Sequence, residues 1–171
     1  MRKLRWLGVG LMLCGLLAGC KPPQGSRTSQ ASRNEPEGYQ MGDPVKTGAL
    51  VYTVLDTEWF DQIGDAASPR LPRNHFLSVR LSVTNTGSLT SGIPPLTIVN
   101  KQRVTYAELN DANGLSEWLG YMRSVKPAET LHGRILFDAP TGDYQLRVVD
   151  DAEPENQSSA TIHMPLELVR P

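Results

Sequence analysis

The sequence has almost no cysteine. Only Cys14 and Cys20 occur in 171 residues, and Cys14 stands within an apolar run near the start. Removal of residues 1–19 would leave one thiol, so no intrachain disulfide could hold an exported domain, although an oxidising compartment would allow one. The fold must be held by its core. An excess of basic residues is also missing. The formal net charge is -1, and loss of Arg2, Lys3 and Arg5 leaves 14 basic residues against 18 acidic, a net charge of -4. That excludes the electrostatic footprint of a nucleic-acid binder and fits charge-driven binding to anionic lipid poorly. The apolar run Trp6–Leu17 is too short to remain as a membrane span, which needs about 20 residues.

Motifs of chemistry are scarce too. Gly87-Ser88-Leu89-Thr90-Ser91-Gly92 lacks the Gly-x-Ser-x-Gly spacing of a nucleophile elbow. No glycine-rich phosphate loop followed by Lys-Ser/Thr is present. His75, His132 and His163 share no metal-ligand spacing with each other or with cysteine. They read as solvated side chains that only convergence across neighbouring strands could make into a site. Asp150-Asp151 and Glu153 with Glu155 read as solvating a polar loop, with too few oxygen ligands for calcium. The expectation is a non-enzymatic protein with no catalytic residues, no metal and no cofactor.

What is present begins with Arg2, Lys3 and Arg5, then the apolar run, then Leu17-Ala18-Gly19-Cys20. Cationic start, apolar core of signal-peptide length and small residues occur in the order an export signal requires. With cysteine next, the stretch resembles the lipobox of bacterial lipoproteins. That resemblance implies cleavage after Gly19 and lipidation of Cys20. Two acyl chains, at ~0.8 kcal/mol per buried CH₂, anchor stably where one is marginal. Lys21 rather than Asp follows the cysteine, which resembles outer-membrane sorting in an envelope with two membranes; otherwise the outer face of the cell membrane is expected. Residues 20–43 then read as the lipidated cysteine and a flexible linker, poor in bulky apolar residues apart from Tyr39 and Met41. As a coil this tether spans ~25–30 Å on average.

Residues 44–171 read as one all-β domain. Phe76–Asn85 alternates Leu77, Val79, Leu81 and Val83 with Ser78, Arg80, Ser82 and Thr84, which places one set inward and the other in water. Ala49–Glu58, Leu96–Val99, Val104–Tyr106, Thr130–Asp138, Tyr144–Asp150 and Ala160–Val169 supply six further strands. On Thr130–Asp138 the spacing predicts Leu136 outward, and Pro165 favours an edge position for the last strand. Leu115–Val125 reads as a short helix or irregular crossover, with Leu115, Leu119 and Met122 at helical spacing. About seven short strands between turn-rich joints predict an immunoglobulin-like β-sandwich.

Several stretches carry a resemblance: Gly42-Asp43-Pro44-Val45-Lys46, Tyr52-Thr53-Val54, Phe76 to Asn85, Val125-Lys126-Pro127-Ala128-Glu129-Thr130 and Gly133 to Pro140, in that order. Together they resemble a bacterial family of unknown-function lipoprotein and secreted domains with an immunoglobulin-like sandwich, related in fold to a mycobacterial secreted immunogenic antigen. The resemblance covers Gly42 to Leu168. The family usually places glycine soon after the proline of the turn; here Ala128-Glu129 stand instead. The resemblance implies an extracytoplasmic binding or interaction module and transfers no catalytic residue.

Trp and Tyr are frequent anchors of binding surfaces, and long loops on a rigid sheet are where recognition tends to sit. Trp59, Phe60, Trp118 and Tyr121 are therefore the candidate interaction surface, together with the loop Asp61–Asn74; the competing reading of these aromatics is as caps on the sandwich core. The function expected is a lipid-anchored module of the cell envelope that engages an envelope or extracellular protein and no nucleic acid. The alternative is a carrier or sensor of a small ligand or metal, which would require a pocket of several hundred Å³ with a few polar groups.

Overall fold

The computed structural model describes residues 38–152 and 156–166. The signal-like segment, Cys20, Glu153, Glu155 and Leu168 lie outside the described residues. Eleven strands form in order: β1 (Tyr39–Gln40), β2 (Val45–Thr47), β3 (Leu50–Phe60), β4 (His75–Asn85), β5 (Ser91–Ile93), β6 (Thr97–Asn100), β7 (Thr105–Ala107), β8 (Arg123–Val125), β9 (Thr130–Ala139), β10 (Tyr144–Val149) and β11 (Ser159–Met164). The seven strands expected from the sequence are β3, β4, β6, β7, β9, β10 and β11. The four additional strands have two or three residues each, too few for alternation to be read. Tyr39 and Gln40, assigned to the linker by composition, already belong to the sheet. No helix occurs among the described residues.

The strands form a sandwich. One sheet has the order β2-β3-β4-β9 and the other β1-β11-β10-β6-β7, with β5 and β8 as a separate ribbon. Between the sheets lie Tyr52, Val54, Leu77, Val79, Leu81, Ile135, Phe137, Leu146 and Ile162, all essentially excluded from water. At ~1.5–3 kcal/mol per buried large aliphatic or aromatic side chain, this layer supplies the cohesion a disulfide cannot. Both lateral edges are closed by chain that changes sheets. Tyr39–Thr47 pairs first with β11 and then with β3. Beyond β7, Glu108 bridges Phe137, and Leu109 N–H donates to Leu136 O (2.8 Å).

A bulge in β3 changes which residues face inward. Val54 pairs with Leu81 and Asp56 with Arg80, so Leu55 is the extra residue. Before it, Leu50, Tyr52 and Val54 point inward; after it, Thr57 and Trp59 stand opposite Val79 and Leu77. Asp56, Glu58 and Phe60 thereby share the outer face with Arg80, Ser78 and Phe76.

That outer face is not uniformly wet. Ser78 and Leu136, both expected in water, are fully buried. A second apolar cluster of Ile63, Phe76, Ala112 and Leu136 covers one end of it, with Phe60, Leu109, Leu115 and Trp118 packed against it. The loops 61–74 and 108–119 supply the cover, which strand periodicity cannot foretell. They meet through glycine: a Cβ on Gly114 would stand 2.5 Å from the Gly64 Cα.

Leu115–Val125 is irregular and ends in the strand β8. Gly114, Glu117 and Gly120 have φ of 93°, 58° and 79°, left-handed values that interrupt any right-handed helix. The apparent helical spacing has no shared face, since Met122 is 96% exposed. β11 stops at Met164, before Pro165, and only the two residues of β1 pair along its outer side.

Candidate functional site

The four aromatics singled out in the sequence do not form one patch. Beyond the bulge, Trp59 turns toward the main core, its ring 6.2 Å from that of Tyr144, while Tyr106 meets Tyr144 edge-on at 5.8 Å. Phe60 and Trp118 pack on the second cluster. Three of the four are thus packing residues, as the reading of capped core has it. Tyr121 is separate. It lies on a shelf at the β5–β8 ribbon with Ile93, Pro94, Pro95 and Met122, around a hollow of about 350 Å³.

A buried ion pair holds this shelf. Arg123 follows Met122 directly and is turned inward. Its guanidinium grips Glu108 with two hydrogen bonds of 2.5 and 2.8 Å, at side-chain exposures of 3% and 0%. Glu108 also accepts from Leu96 N–H (2.9 Å), and Arg123 donates to Gly120 O (2.7 Å). One forked contact therefore joins the segment after β7, the entry to β6 and the turn at Gly120. Glu108 is the internal counterion. Nearby, Tyr52 donates to Val149 O (2.8 Å). Burial raises its hydroxyl well above the ordinary phenol range; Arg123 opposes this, and Asp151, Asp150 and Glu108 add to it. The flanking carboxylates do more than solvate a loop. Asp150 is buried and accepts from Ser158 N–H (3.1 Å), and Asp151 from Gly92 N–H (2.8 Å).

The residues that carried the family resemblance fasten loops. Asn85 is buried; its amide donates to Leu89 O (2.7 Å) and Val125 O (2.9 Å) and accepts from Gly87 N–H (2.8 Å). Ala128 has a φ of 60°, the left-handed geometry that glycine adopts without strain. At Gly133 a Cβ would lie 2.6 Å from Glu117 O and 2.7 Å from Leu119 Cγ, so only glycine lets the 117–119 segment lie along β9. Asp138 accepts from the N–H groups of Arg73 (2.7 Å) and Asn74 (2.9 Å) and from the Asn74 amide (3.1 Å). Burial pushes its carboxyl up, but these bonds and the Arg73 charge outweigh that and hold it below the usual range. The loop 61–74, expected to be free for recognition, is pinned to β9.

The histidines do not converge. His75 lies 3.2 Å from Asp61, His132 is on the four-stranded sheet beside a hollow of about 380 Å³, and His163 is on the five-stranded sheet. Among the described residues, no three His, Cys, Asp or Glu side chains come together as a metal site. The outer face of the four-stranded sheet carries Arg134 instead, 3.5 Å from Asp56, 3.4 Å from Glu58 and 3.1 Å from Ser78 Oγ. An opening of about 690 Å³ lies on the outer face of the five-stranded sheet over Gln40, Gln145 and His163. Sequence reasoning missed it because its residues come from four strands.

Known structures share this sandwich. YjhA of Bacillus subtilis superposes with a TM-score of 0.57 at 12% identity, covering 74% of this chain and 98% of that one. The candidate lipoprotein YcdA of the same species gives 0.55 at 14% identity, covering 72% and 39%. The secreted protein MPT63 of Mycobacterium tuberculosis gives 0.47 at 13% identity, covering 74% and 94%. The first two similarities speak for the fold alone. Among curated proteins none matches the sequence. Over residues 39–158 the sequence does match a family, and the chain belongs to it: Domain of unknown function (DUF4352).

Proposed function

We propose that the protein is a lipid-anchored, extracytoplasmic and non-enzymatic interaction module. Lipidation at Cys20 holds it to the envelope membrane, and the shelf of Tyr121 and Met122 meets an apolar segment of an envelope or extracellular protein. The lipobox-like residues and the fold shared with a candidate lipoprotein support the location. The shelf carries the interaction reading through one observation. Met122, an adaptable apolar side chain, is 96% exposed beside Tyr121, Pro94 and Pro95, directly next to the buried Arg123–Glu108 clamp. A rigid mount under an exposed apolar surface suits recognition. The test is capture from native membranes with wild type and a Tyr121→Ala, Met122→Asp variant. Loss of specific partners from the variant is expected, and an unchanged set would refute the shelf. Cys20→Ser should release the protein to the soluble fraction, and persistence in the membrane would refute the anchor. A second reading, a small-ligand carrier, draws support from the 690 Å³ groove on the five-stranded sheet.

A further inference from the structure

The floor of that groove is one cross-strand row: Gln40, His163, Gln145 and Val99, set in register by β1, β11, β10 and β6. Its rim is the hairpin between β6 and β7. There the Asn100 side chain accepts from the N–H groups of Gln102 (3.0 Å) and Val104 (2.9 Å), and Arg103 N–H donates to Asn100 O (2.9 Å). This rigid tip holds Arg103 at a φ of 64°. A non-glycine residue in that conformation is strained, and strain of this kind clusters at ligand sites. The strained residue here is a cation lining the groove.

The charges in the groove are unequally committed. Asp143 is the one carboxylate among its lining residues, and both of its oxygens are engaged. Oδ2 accepts from Lys101 Nζ (2.6 Å) and Oδ1 from Leu166 N–H (2.8 Å). The Lys101 bond, then the Leu166 bond, hold its carboxyl below the usual range despite some burial. Lys101 is thereby answered. Arg103 has no ion-pair partner among the described residues, and the side chains of Gln40, Gln145 and His163 make no hydrogen bond there. What remains unanswered is one guanidinium, two neutral amides and an imidazole. An apolar ligand would strip water from those amides without replacing it. Among the described residues lining it, a metal cation would find no free carboxylate oxygen.

We propose that this groove binds a small anion carried on a hydroxyl-bearing body, a sugar acid or sugar phosphate, with Arg103 as the anion contact. The volume lies within the range of small-molecule sites. Guanidinium binds carboxylate and phosphate through paired hydrogen bonds, while Gln40 and Gln145 each offer the donor and acceptor that hydroxyl groups match. The proposal rests on the carrier reading and is independent of partner capture at the shelf.

The experiment is calorimetric titration of the detergent-solubilised full chain with glucuronate, glucose 6-phosphate, inorganic phosphate and glucose. The two sugar acids should bind at least about tenfold more tightly than glucose, as expected for one charge-assisted contact. Arg103→Gly removes the cation and keeps the left-handed backbone. It should lower the affinity for both acids about tenfold, leave glucose unchanged and not reduce the melting temperature. Lys101→Ala should have less effect than Arg103→Gly. Glucose binding as tightly as the acids, or acids unaffected by Arg103→Gly, would overturn the anion assignment while the carrier reading stood. Inorganic phosphate as tight as glucose 6-phosphate would overturn the role given to the hydroxyl-bearing body. Silence from all four probes would overturn the proposal and remove the support the groove gives to a carrier.

Discussion

The Glu108–Arg123 clamp makes the strongest claim about energetics, and it can be tested as a thermodynamic cycle. Glu108→Leu removes both acceptors of the Arg123 fork and the acceptor of Leu96 N–H. The guanidinium, 3% exposed, then has no counterion. Breaking a buried pair on one side costs about 3–5 kcal/mol, because the surviving charge has lost its water as well. Arg123→Met leaves Glu108 in the same position and should cost a similar amount. The double variant Glu108→Leu, Arg123→Met removes both charges and both desolvation penalties. Its residual loss comes from Leu96 N–H and Gly120 O, left without these partners, at about 1–3 kcal/mol for a buried unsatisfied group. The double variant should therefore be more stable than either single variant.

Urea unfolding followed by tryptophan fluorescence reads this directly. With a slope of about 1–3 kcal/mol per molar urea, each single variant should move the midpoint down by about 2 M. Such a loss is a large part of the 5–15 kcal/mol typical of a domain. The reasoning is refuted if Glu108→Leu costs less than about 1 kcal/mol, the worth of a surface pair. It is equally refuted if the double variant loses the sum of the two single losses, since independent sites add and a shared contact does not.

Three further outcomes follow from the residues of the family resemblance. Ala128→Gly removes left-handed strain of about 1–2 kcal/mol, offset by the greater unfolded-state freedom of glycine, about 0.4–1 kcal/mol. A melting temperature raised by a few degrees in calorimetry is expected, and a lowered one would contradict the strain argument. Gly133→Ala places a methyl against Glu117 O and Leu119 and should cost about 1–3 kcal/mol. Amide exchange at Leu119 and Arg134, whose N–H groups make the cross-links to β9, should accelerate first; protection unchanged there would count against the close approach. For Asp138 the folded carboxyl is held below its unfolded range. Its contribution is therefore complete above the ordinary carboxylate range and disappears as pH falls through the depressed folded value. The amide resonances of Arg73 and Asn74 should titrate together below that range, and Asp138→Asn should abolish the titration.

The seven expected strands were legible because an apolar run or alternation between turn residues is a local signal. Val79, Leu81 and Ile135 turn inward where their spacing puts them. The fold elements that were not legible depend on contacts between distant parts of the chain. Ser78 and Leu136 alternate as outward residues, yet both are buried: Ile63, Ala112 and Leu115 arrive from two loops to pack with Leu136, and Arg134 reaches Ser78 Oγ. The bulge at Leu55 reverses inward and outward for Trp59 and Phe60, and no glycine or proline marks it. At the site, Tyr121 was identified by residue type, whereas Met122 and the clamp behind it were not. Glu108 and Arg123 are separated by 15 residues, and nothing in either neighbourhood announces an internal ion pair. The three left-handed residues in 114–120 show why helical spacing misled there. Two are glycines, whose freedom was visible, but the third, Glu117, is held by its bond to β9.

The positions that carry the resemblance also bear on how such a domain can serve recognition. Asn85 ties a turn to β8, Gly133 admits the 117–119 segment to β9, and Asp138 fastens 61–74 to the same strand. These three positions act through hydrogen bonds or an excluded Cβ, unlike the apolar layer between the sheets, where Leu, Val and Ile of compatible volume can be exchanged at small cost. A hydrogen-bonded carboxylate or an excluded Cβ has no such substitute, because the alternative is an unpaired backbone group or a clash. The irreplaceable residues thus fix where loops attach and leave the composition of their exposed parts unconstrained. Between fixed attachments, Tyr121 and Met122 can be altered without disturbing Glu108, Arg123 or the core. The same separation holds on the other sheet, where Asn100 builds the hairpin tip and Arg103 only displays a charge from it. Variation at the shelf and at Arg103 should therefore change what is bound at nearly constant stability, whereas variation at Asn85, Gly133 or Asp138 should change stability first.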